Sequence, residues 1–168
     1  LESFNTDGLR SILFTMGHIP NMKEKTLRYP GHIDLMKSLI KAGFLNTEAI
    51  QYKGQSISPL GFTSALLFDQ WKLGATEAEF TLMTIEIKGE GKTIHYELYD
   101  EYDAVTETSS MSRTTGYTCT AALNMLMENL FTEKGVFPPE LVGKHAPCFE
   151  YIIKYLQERN IHYVKTES

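Results

Sequence analysis

The first candidate for chemistry is a basic residue placed where a predicted strand gives way to a predicted helix. The segment Thr26-Leu27-Arg28-Tyr29-Pro30-Gly31-His32 carries that arginine into a Pro-Gly break. Ligand-contacting groups collect at such places because a rigid scaffold holds them while the backbone turns. The arginine side chain has a planar fork of donors that matches a carboxylate. Arg28 therefore predicts a site for a carboxylate-bearing small molecule. The alternative is a structural cap or a local ion pair.

Two further groups are candidates for the same kind of chemistry. His32 opens the helix after Pro-Gly, where its imidazole either faces a ligand or caps the helix. The run from Ser110 to Gly116 places hydroxyls and backbone N–H groups at a helix start, with Arg113 adding positive charge. Such a start predicts an anion site. The alternative is simple capping with a solvent-facing Arg113.

Other polar patterns predict no site. The acids Glu97, Asp100, Glu101 and Asp103 alternate with tyrosines, which is typical of the solvated face of a strand, and their spacing does not suit a metal. The Gly89-Glu90-Gly91 triplet lies in a predicted hairpin turn with no helix after it. A dinucleotide fingerprint needs that helix, because its N-terminus holds the pyrophosphate. We therefore predict no cofactor site in this chain.

The first half of the chain is predicted to position Arg28 between short elements. Asp7 is expected to cap a first helix that runs to about Met16, and residues 22–29 are predicted to form a strand. A helix follows Pro30 and ends at Gly43, a loop or weak hairpin covers residues 46–58, and Ser58-Pro59 starts another helix. Apolar residues expected in the core of these helices are Ile33, Met36, Ile40, Leu60, Leu67, Phe68 and Trp71.

The second half is predicted to be a hairpin followed by two helices and an edge strand. Thr81, Met83, Ile85 and Ile87 alternate with more polar residues, as do Ile94, Tyr96 and Leu98 after a glycine turn. Ser109 or Ser110 starts the longest helix, Pro147 starts the last one, and residues 161–164 are expected to add a short edge strand. The core residues expected on these helices are Cys119, Leu123, Leu126, Leu130, Phe149, Ile152, Ile153 and Leu156. The order of elements predicts an α+β fold with a mixed, largely antiparallel sheet and helices on one face.

Composition narrows the class of protein. The chain has 168 residues and a formal net charge of −5, which argues against nucleic acid as a partner. No apolar run is long enough to cross a membrane, and two cysteines without metal or disulfide spacing fit a reducing cytoplasm. Because the chain opens at Leu1 without a Met, we expect an upstream segment in the parent protein. The 168 residues are expected to form a single domain.

Three motifs in order resemble the second domain of the saccharopine dehydrogenase-like oxidoreductases. They are Glu2 to Arg10 followed by Thr26 to Gly31, then Ser110 to Tyr117, and finally Thr132 to Glu140. The lysine 6-dehydrogenase branch of the family is similar through the C-terminal tail as well. The resemblance implies a parent enzyme that transfers a hydride at the C–N bond of a lysine-type amino acid, with NAD or NADP bound by an absent N-terminal Rossmann domain.

The same resemblance implies roles for this chain. The family's second domain supplies carboxylate-binding groups and the interface of a homodimer, and residues 145–168 are expected to be able to dock on the missing domain. The Thr-Leu-Arg segment that contacts substrate in the saccharopine enzymes corresponds to Thr26, Leu27 and Arg28. With His32 and Arg113 these form the predicted substrate-binding set, and no catalytic residue is expected in this chain.

One position departs from the family pattern. The saccharopine reductases carry Asn-Arg-Asp, with a substrate-binding arginine, where this chain has Asn5-Thr6-Asp7. The substrate, whether saccharopine, lysine or a related amine, therefore stays open. A binding module that kept the fold without catalysis is the other function to be tested.

Overall fold

The computed structural model describes residues 1–74 and 76–168 of the chain. They form two compact units, Leu1–Leu73 and Gly74–Ser168, which we call unit 1 and unit 2. Six helices and seven strands lie in the described ranges, and every strand pair between them is antiparallel. The α+β class is confirmed, whereas the mixed sheet is replaced by three separate antiparallel sheets of two, two and three strands. Within these ranges no helix is long and apolar enough to span a bilayer.

Unit 1 contains two small sheets and three helices. Strand β1 (Glu2–Asn5) pairs with β2 (Lys25–Arg28), and β3 (Ile50–Tyr52) pairs with β4 (Gln55–Ile57). The three helices are α1 (Ile12–Thr15), α2 (His32–Lys41) and α3 (Pro59–Trp71).

The ends of α2 and α3 follow from local chemistry. Ser58 caps α3 by accepting a hydrogen bond from the Gly61 N–H at 3.1 Å, as the Ser-Pro pair predicts. Helix α2 begins at His32, two residues after Pro30, because Gly31 turns the chain with φ of +96°. That left-handed conformation is one that glycine adopts without a steric penalty.

Two predictions for unit 1 are wrong. The first helix begins after Ser11 and not at Asp7, and it is only four residues long. On the second and third helices, Ile40, Phe68 and Trp71 are exposed and do not enter a core. Phe68 keeps 74% of its surface exposed. The one buried residue among the described residues of unit 1 is Thr63, whose hydroxyl donates to the Phe44 carbonyl at 2.8 Å.

Unit 2 is built on a long hairpin. Strands β5 (Phe80–Gly89) and β6 (Lys92–Glu101) pair over their whole length, and β7 (Tyr163–Glu167) pairs with β6. The turn residues Glu90 and Gly91 both have positive φ, which suits the twist of a two-residue hairpin. The register places Met83, Ile85 and Ile87 opposite Leu98, Tyr96 and Ile94, so the predicted hairpin is confirmed and these apolar residues share one face of the sheet.

Helices cover one end of that apolar face. The helices of unit 2 are α4 (Ser110–Met127), α5 (Pro139–Val142) and α6 (Ala146–Gln157). One apolar cluster joins Leu98 to Leu156 and Ile161, and a second joins Met125, Phe131 and Cys148. Towards the turn the sheet is less covered, and Met83, Ile85 and Ile87 remain exposed.

The predicted core faces of α4 and α6 need correction. Cys119, Leu123, Leu126 and Leu130 are exposed, whereas Ser110, Arg113, Ala121 and Met125 are buried. Phe149 on α6 is exposed too, while Cys148 and Leu156 are buried. The segment 145–168, for which docking on another domain is predicted, contains α6 and β7, and β7 is an edge strand of the unit 2 sheet.

Candidate functional site

Three of the predicted site residues lie on or beside one face of the β1–β2 sheet in unit 1. Alternation along β2 puts Thr26 and Arg28 on the same face. The register adds Glu2, opposite Arg28, and Phe4, opposite Thr26. His32 at the start of α2 stacks on the Phe4 ring, with centroids 6.3 Å apart. We call Glu2, Phe4, Thr26, Arg28 and His32 the strand-face site.

Arg28 is the positively charged residue of this site, and its guanidinium is accessible to solvent. Its side chain is exposed, and Nη1 donates to the Leu27 carbonyl at 2.7 Å. That single bond folds the side chain back along its own strand and leaves most of the guanidinium fork unengaged by the described residues. A carboxylate could therefore take the fork without displacing an ion pair. The Leu27 side chain itself is half-buried on the opposite face of the strand.

The imidazole of His32 is held by aromatic rings. Besides Phe4 it lies 6.2 Å from the ring of Trp71, tilted by 48°. Aromatic contacts at these separations orient a ring without using its nitrogens. His32 therefore keeps its polar edge for another partner, which is compatible with the ligand-facing alternative of the sequence prediction.

Glu2 is a site residue that the sequence prediction did not single out. Its carboxylate accepts the backbone N–H of Ile33 at 2.6 Å, at the start of α2. Hydrogen bonding from Ile33, with smaller contributions from Gly31 and the His32 charge, lowers the pKa of Glu2. An anion is favoured there because the N-terminus of a helix carries partial positive charge. Glu2 thus ties β1 to the helix that carries His32.

The stabilisation that the Glu2–Ile33 hydrogen bond gives to the fold depends on pH, and its direction follows from the lowered pKa of Glu2. Because the folded-state pKa of Glu2 lies below the unfolded value of about 4.3, its stabilising effect is complete above that pH and is lost as the pH falls through the lowered pKa. We expect Glu2→Gln to melt below wild type at a constant difference from pH 5 to 8. That difference should shrink below about pH 4. Thermal melts followed by circular dichroism across pH 3 to 8 measure it, and a difference that persists unchanged at pH 3 would contradict the assignment.

A second carboxylate, Glu24, lies at the far end of the same strand face. It accepts the Thr6 hydroxyl and the Gly8 N–H, the latter at 3.2 Å, and Thr26 Oγ1 lies 3.5 Å from its Oε1. These donors, led by Thr6, lower its pKa. Glu24, Thr26 and Arg28 are two residues apart in sequence. That period-two spacing is the signal that could have identified Glu24.

Arg113 lies in unit 2, and its donors are used within the chain. Its Nε lies 3.1 Å from Asp100 Oδ2, Nη1 lies 3.1 Å from Asp103 Oδ2, and Nη2 donates to the Arg159 carbonyl at 3.2 Å. Hydrogen bonding to Asp100 raises the pKa of Arg113, and the backbone N–H of Val105 is the largest cause that lowers the pKa of Asp103. The prediction that Asp100 faces solvent is wrong, since it is only 6% exposed. This geometry favours a structural role for Arg113 over substrate binding.

A carboxylate of the same protein, that of Glu79, occupies the predicted anion site at the start of α4. The carboxylate of Glu79 accepts the backbone N–H of Ser110, and the Ser110 hydroxyl pairs with Thr81 at 2.6 Å. Ser109 caps the helix as predicted, through the Ser112 N–H. A second anion would meet the Glu79 charge here, so this helix start does not offer the site that its hydroxyls suggested.

The described residues do not fit a dinucleotide or a metal. Gly89-Glu90-Gly91 is the turn between β5 and β6, so the phosphate-binding helix of a dinucleotide fingerprint does not follow it. No cluster of three His, Cys, Asp or Glu side chains within the described ranges is arranged to hold a metal ion.

Comparison with known protein families identifies the family to which this domain belongs. Residues 2–161 match the family described as the saccharopine dehydrogenase C-terminal domain. The match takes in both β1–β2, with the strand-face site, and the α4 segment of unit 2. Because it covers nearly the whole chain, this protein belongs to the saccharopine dehydrogenase C-terminal domain family, whose parent enzymes are oxidoreductases.

Proposed function

We propose that this chain is the substrate-binding and dimerisation domain of an oxidoreductase that transfers a hydride at the C–N bond of a lysine-type amino acid. The observation that carries the proposal is the exposed guanidinium of Arg28, on the face of β2 that also carries Thr26. The His32 ring stacks on Phe4 of the same sheet. A bidentate arginine recognises a carboxylate by shape as well as by charge. Family membership supplies the class of reaction.

In this proposal the chain binds and orients the substrate. The nicotinamide cofactor, NAD or NADP, is the hydride carrier, and we assign it to the N-terminal domain of the parent, because the described residues of this chain have no dinucleotide fingerprint. Arg28 fixes the carboxylate end of the amino acid, and Thr26 adds a hydroxyl within the same strand face. Fixing one end of a substrate in this way positions its reacting carbon.

Two further properties belong to the same proposal. We infer a homodimer formed through this domain, as the family resemblance implies, with Tyr99 on the outer face of the unit 2 sheet as one exposed contact residue. Leu98, which precedes Tyr99 on β6, is buried and is not available to a partner. We also assign the protein to the cytoplasm, since Cys119 and Cys148 are both free thiols.

Turnover by the full-length protein tests the proposed reaction. We expect reduction of NAD⁺ or NADP⁺ when L-lysine or L-saccharopine is added, followed by the absorbance of the reduced nicotinamide. L-Norleucine is the matched control, because it has the length of lysine without the side-chain amine. Cofactor binding without turnover of either amino acid would contradict the enzyme assignment and favour a non-catalytic module.

A further inference from the structure

The strand face that carries the strand-face site extends to Glu24, so opposite charges lie near its two ends. Arg28 lies at the end of β2 that leads into α2, and Glu24 immediately precedes the other end. Four residues of extended chain separate their Cα atoms by about 13 Å. Thr26 lies between them on the same face, and its hydroxyl is 3.1 Å from that of Thr6 on the neighbouring chain segment. This face therefore has Arg28 at one end, where the opposite Glu2 carboxylate is already bonded to the Ile33 N–H, hydroxyls at its centre and Glu24 at the other end.

Glu24 is built into this position. Glu24 is a half-buried residue, and its carboxylate takes hydrogen bonds from Thr6 and from the backbone of Gly8. A Cβ atom on Gly8 would lie 2.6 Å from Glu24 Cδ, so the carboxylate occupies space that only glycine leaves open. Oε2 accepts the hydrogen bonds from Thr6 and Gly8, whereas Oε1 has only the long 3.5 Å contact from Thr26. Oε1 thus retains acceptor capacity.

We propose that Glu24 binds the side-chain ammonium of the substrate, while Arg28 binds its carboxylate from the other end of the same strand face. This inference rests on the proposed amino-acid substrate and names the residue that selects among amino acids. A substrate with an ammonium at one end and a carboxylate at the other matches both charges. A substrate with a second carboxylate at that end would be repelled by Glu24, because like charges at short range oppose binding.

Titration calorimetry on the full-length protein tests this role with L-lysine and L-norleucine as probes. We expect wild type to bind L-lysine at least about tenfold more tightly than L-norleucine, the scale of a hydrogen bond to a charged group. Glu24→Gln should remove most of that preference by weakening L-lysine binding, and it should leave the Kd for L-norleucine within about twofold of wild type. The matched control is Glu48→Gln, an exposed carboxylate between α2 and β3, which should leave both Kd values unchanged.

A second variant separates charge from geometry. Gly8→Ala keeps the Glu24 charge and forces the carboxylate out of its place, so we expect the same loss of L-lysine preference. If Glu24 only pins the loop to the sheet, Glu24→Gln would lower Tm and change both Kd values together. That result would overturn the inference, as would a wild type that binds the two probes equally.

The outcome for Glu24 is distinguishable from the outcome for the reaction. A preference for L-lysine that depends on Glu24, in a protein that does not reduce NAD(P)⁺, supports this inference and refutes the proposed hydride transfer. Turnover of L-lysine with a preference that survives Glu24→Gln supports the reaction and refutes the role of Glu24.

Discussion

In the full-length protein, Arg28→Ala is expected to lower kcat/KM for the amino-acid substrate by about 30- to 700-fold, or roughly 2–4 kcal/mol. The loss should appear chiefly as a higher KM, because the arginine holds a carboxylate that does not react. The cofactor affinity should hardly change. Folding should survive too, since the one hydrogen bond of the Arg28 side chain among the described residues is the 2.7 Å bond to the neighbouring Leu27 carbonyl.

Two further variants test whether the loss comes from the geometry of the Arg28 side chain or from its charge alone. Arg28→Lys keeps the charge but loses the planar fork, so kcat/KM should recover only part of the loss. Lys25→Ala removes a cation from the opposite face of the same strand, where it only approaches Ser3 Oγ at 3.5 Å, and should leave kcat/KM near wild type. If Arg28 is instead a structural residue, Arg28→Ala would lower Tm and leave KM near wild type. An unchanged KM would therefore refute the site.

The elements that could be predicted from sequence are those whose signals are local. The β5–β6 hairpin has period-two alternation over two long strands and a glycine in the turn, and both survive in the structure. The caps at Ser58 and Ser109 are equally local, because a hydroxyl beside a helix start needs no distant partner. The position of Arg28 at the end of a strand is also a local signal, because the Pro-Gly break that follows it lies within the same seven-residue segment.

The buried faces of the helices could not be predicted from local signals. On α4 the residues predicted to be buried, such as Cys119 and Leu123, are offset by two positions from the covered stripe that contains the half-buried Tyr117 and the buried Ala121. Two positions correspond to a rotation of about 200° around a helix. Apolar residues lie on both sides of α4, so the covered side depends on which elements pack against it. The covered side includes Arg113, which pairs with Asp100 on a different element, β6.

The candidate site was predicted only in part for a related reason. Strand β1 has four residues and no run of apolar alternation, so it is recognisable only through its pairing with β2. Glu2 and Phe4 enter the site through that pairing, and Glu24 enters through its bonds to Thr6 and Gly8. Thr26 and Arg28 could be placed on one face by alternation alone.

The buried ion pair in unit 2 gives the largest expected effect on stability. Arg113→Ala should lower the free energy of unfolding by about 3–5 kcal/mol, because it leaves the Asp100 carboxylate buried without its partner. The side chains of Arg113 and Asp100 are only 9% and 5% exposed, so solvent cannot replace the lost contact. For a chain of 168 residues this loss corresponds to a fall in Tm of about 6–20 °C. Thermal melts and denaturant titrations of the 168-residue chain measure both quantities.

The role of Arg113 as a structural residue can be separated from a role in substrate binding. The double variant Arg113→Met, Asp100→Leu replaces both charges by apolar groups and should recover most of the lost stability, since the buried Asp100 charge is removed with its partner. The half-buried Asp103 also loses Arg113 but keeps the backbone N–H groups of Val105 and Thr106. It should also restore kcat/KM, because any loss in the single variant reflects unfolding and not a missing substrate contact. A double variant that regains the wild-type Tm yet keeps a high KM would instead place Arg113 against the substrate. Lys154→Ala, on an exposed position of α6, serves as the control and should leave Tm and KM at their wild-type values.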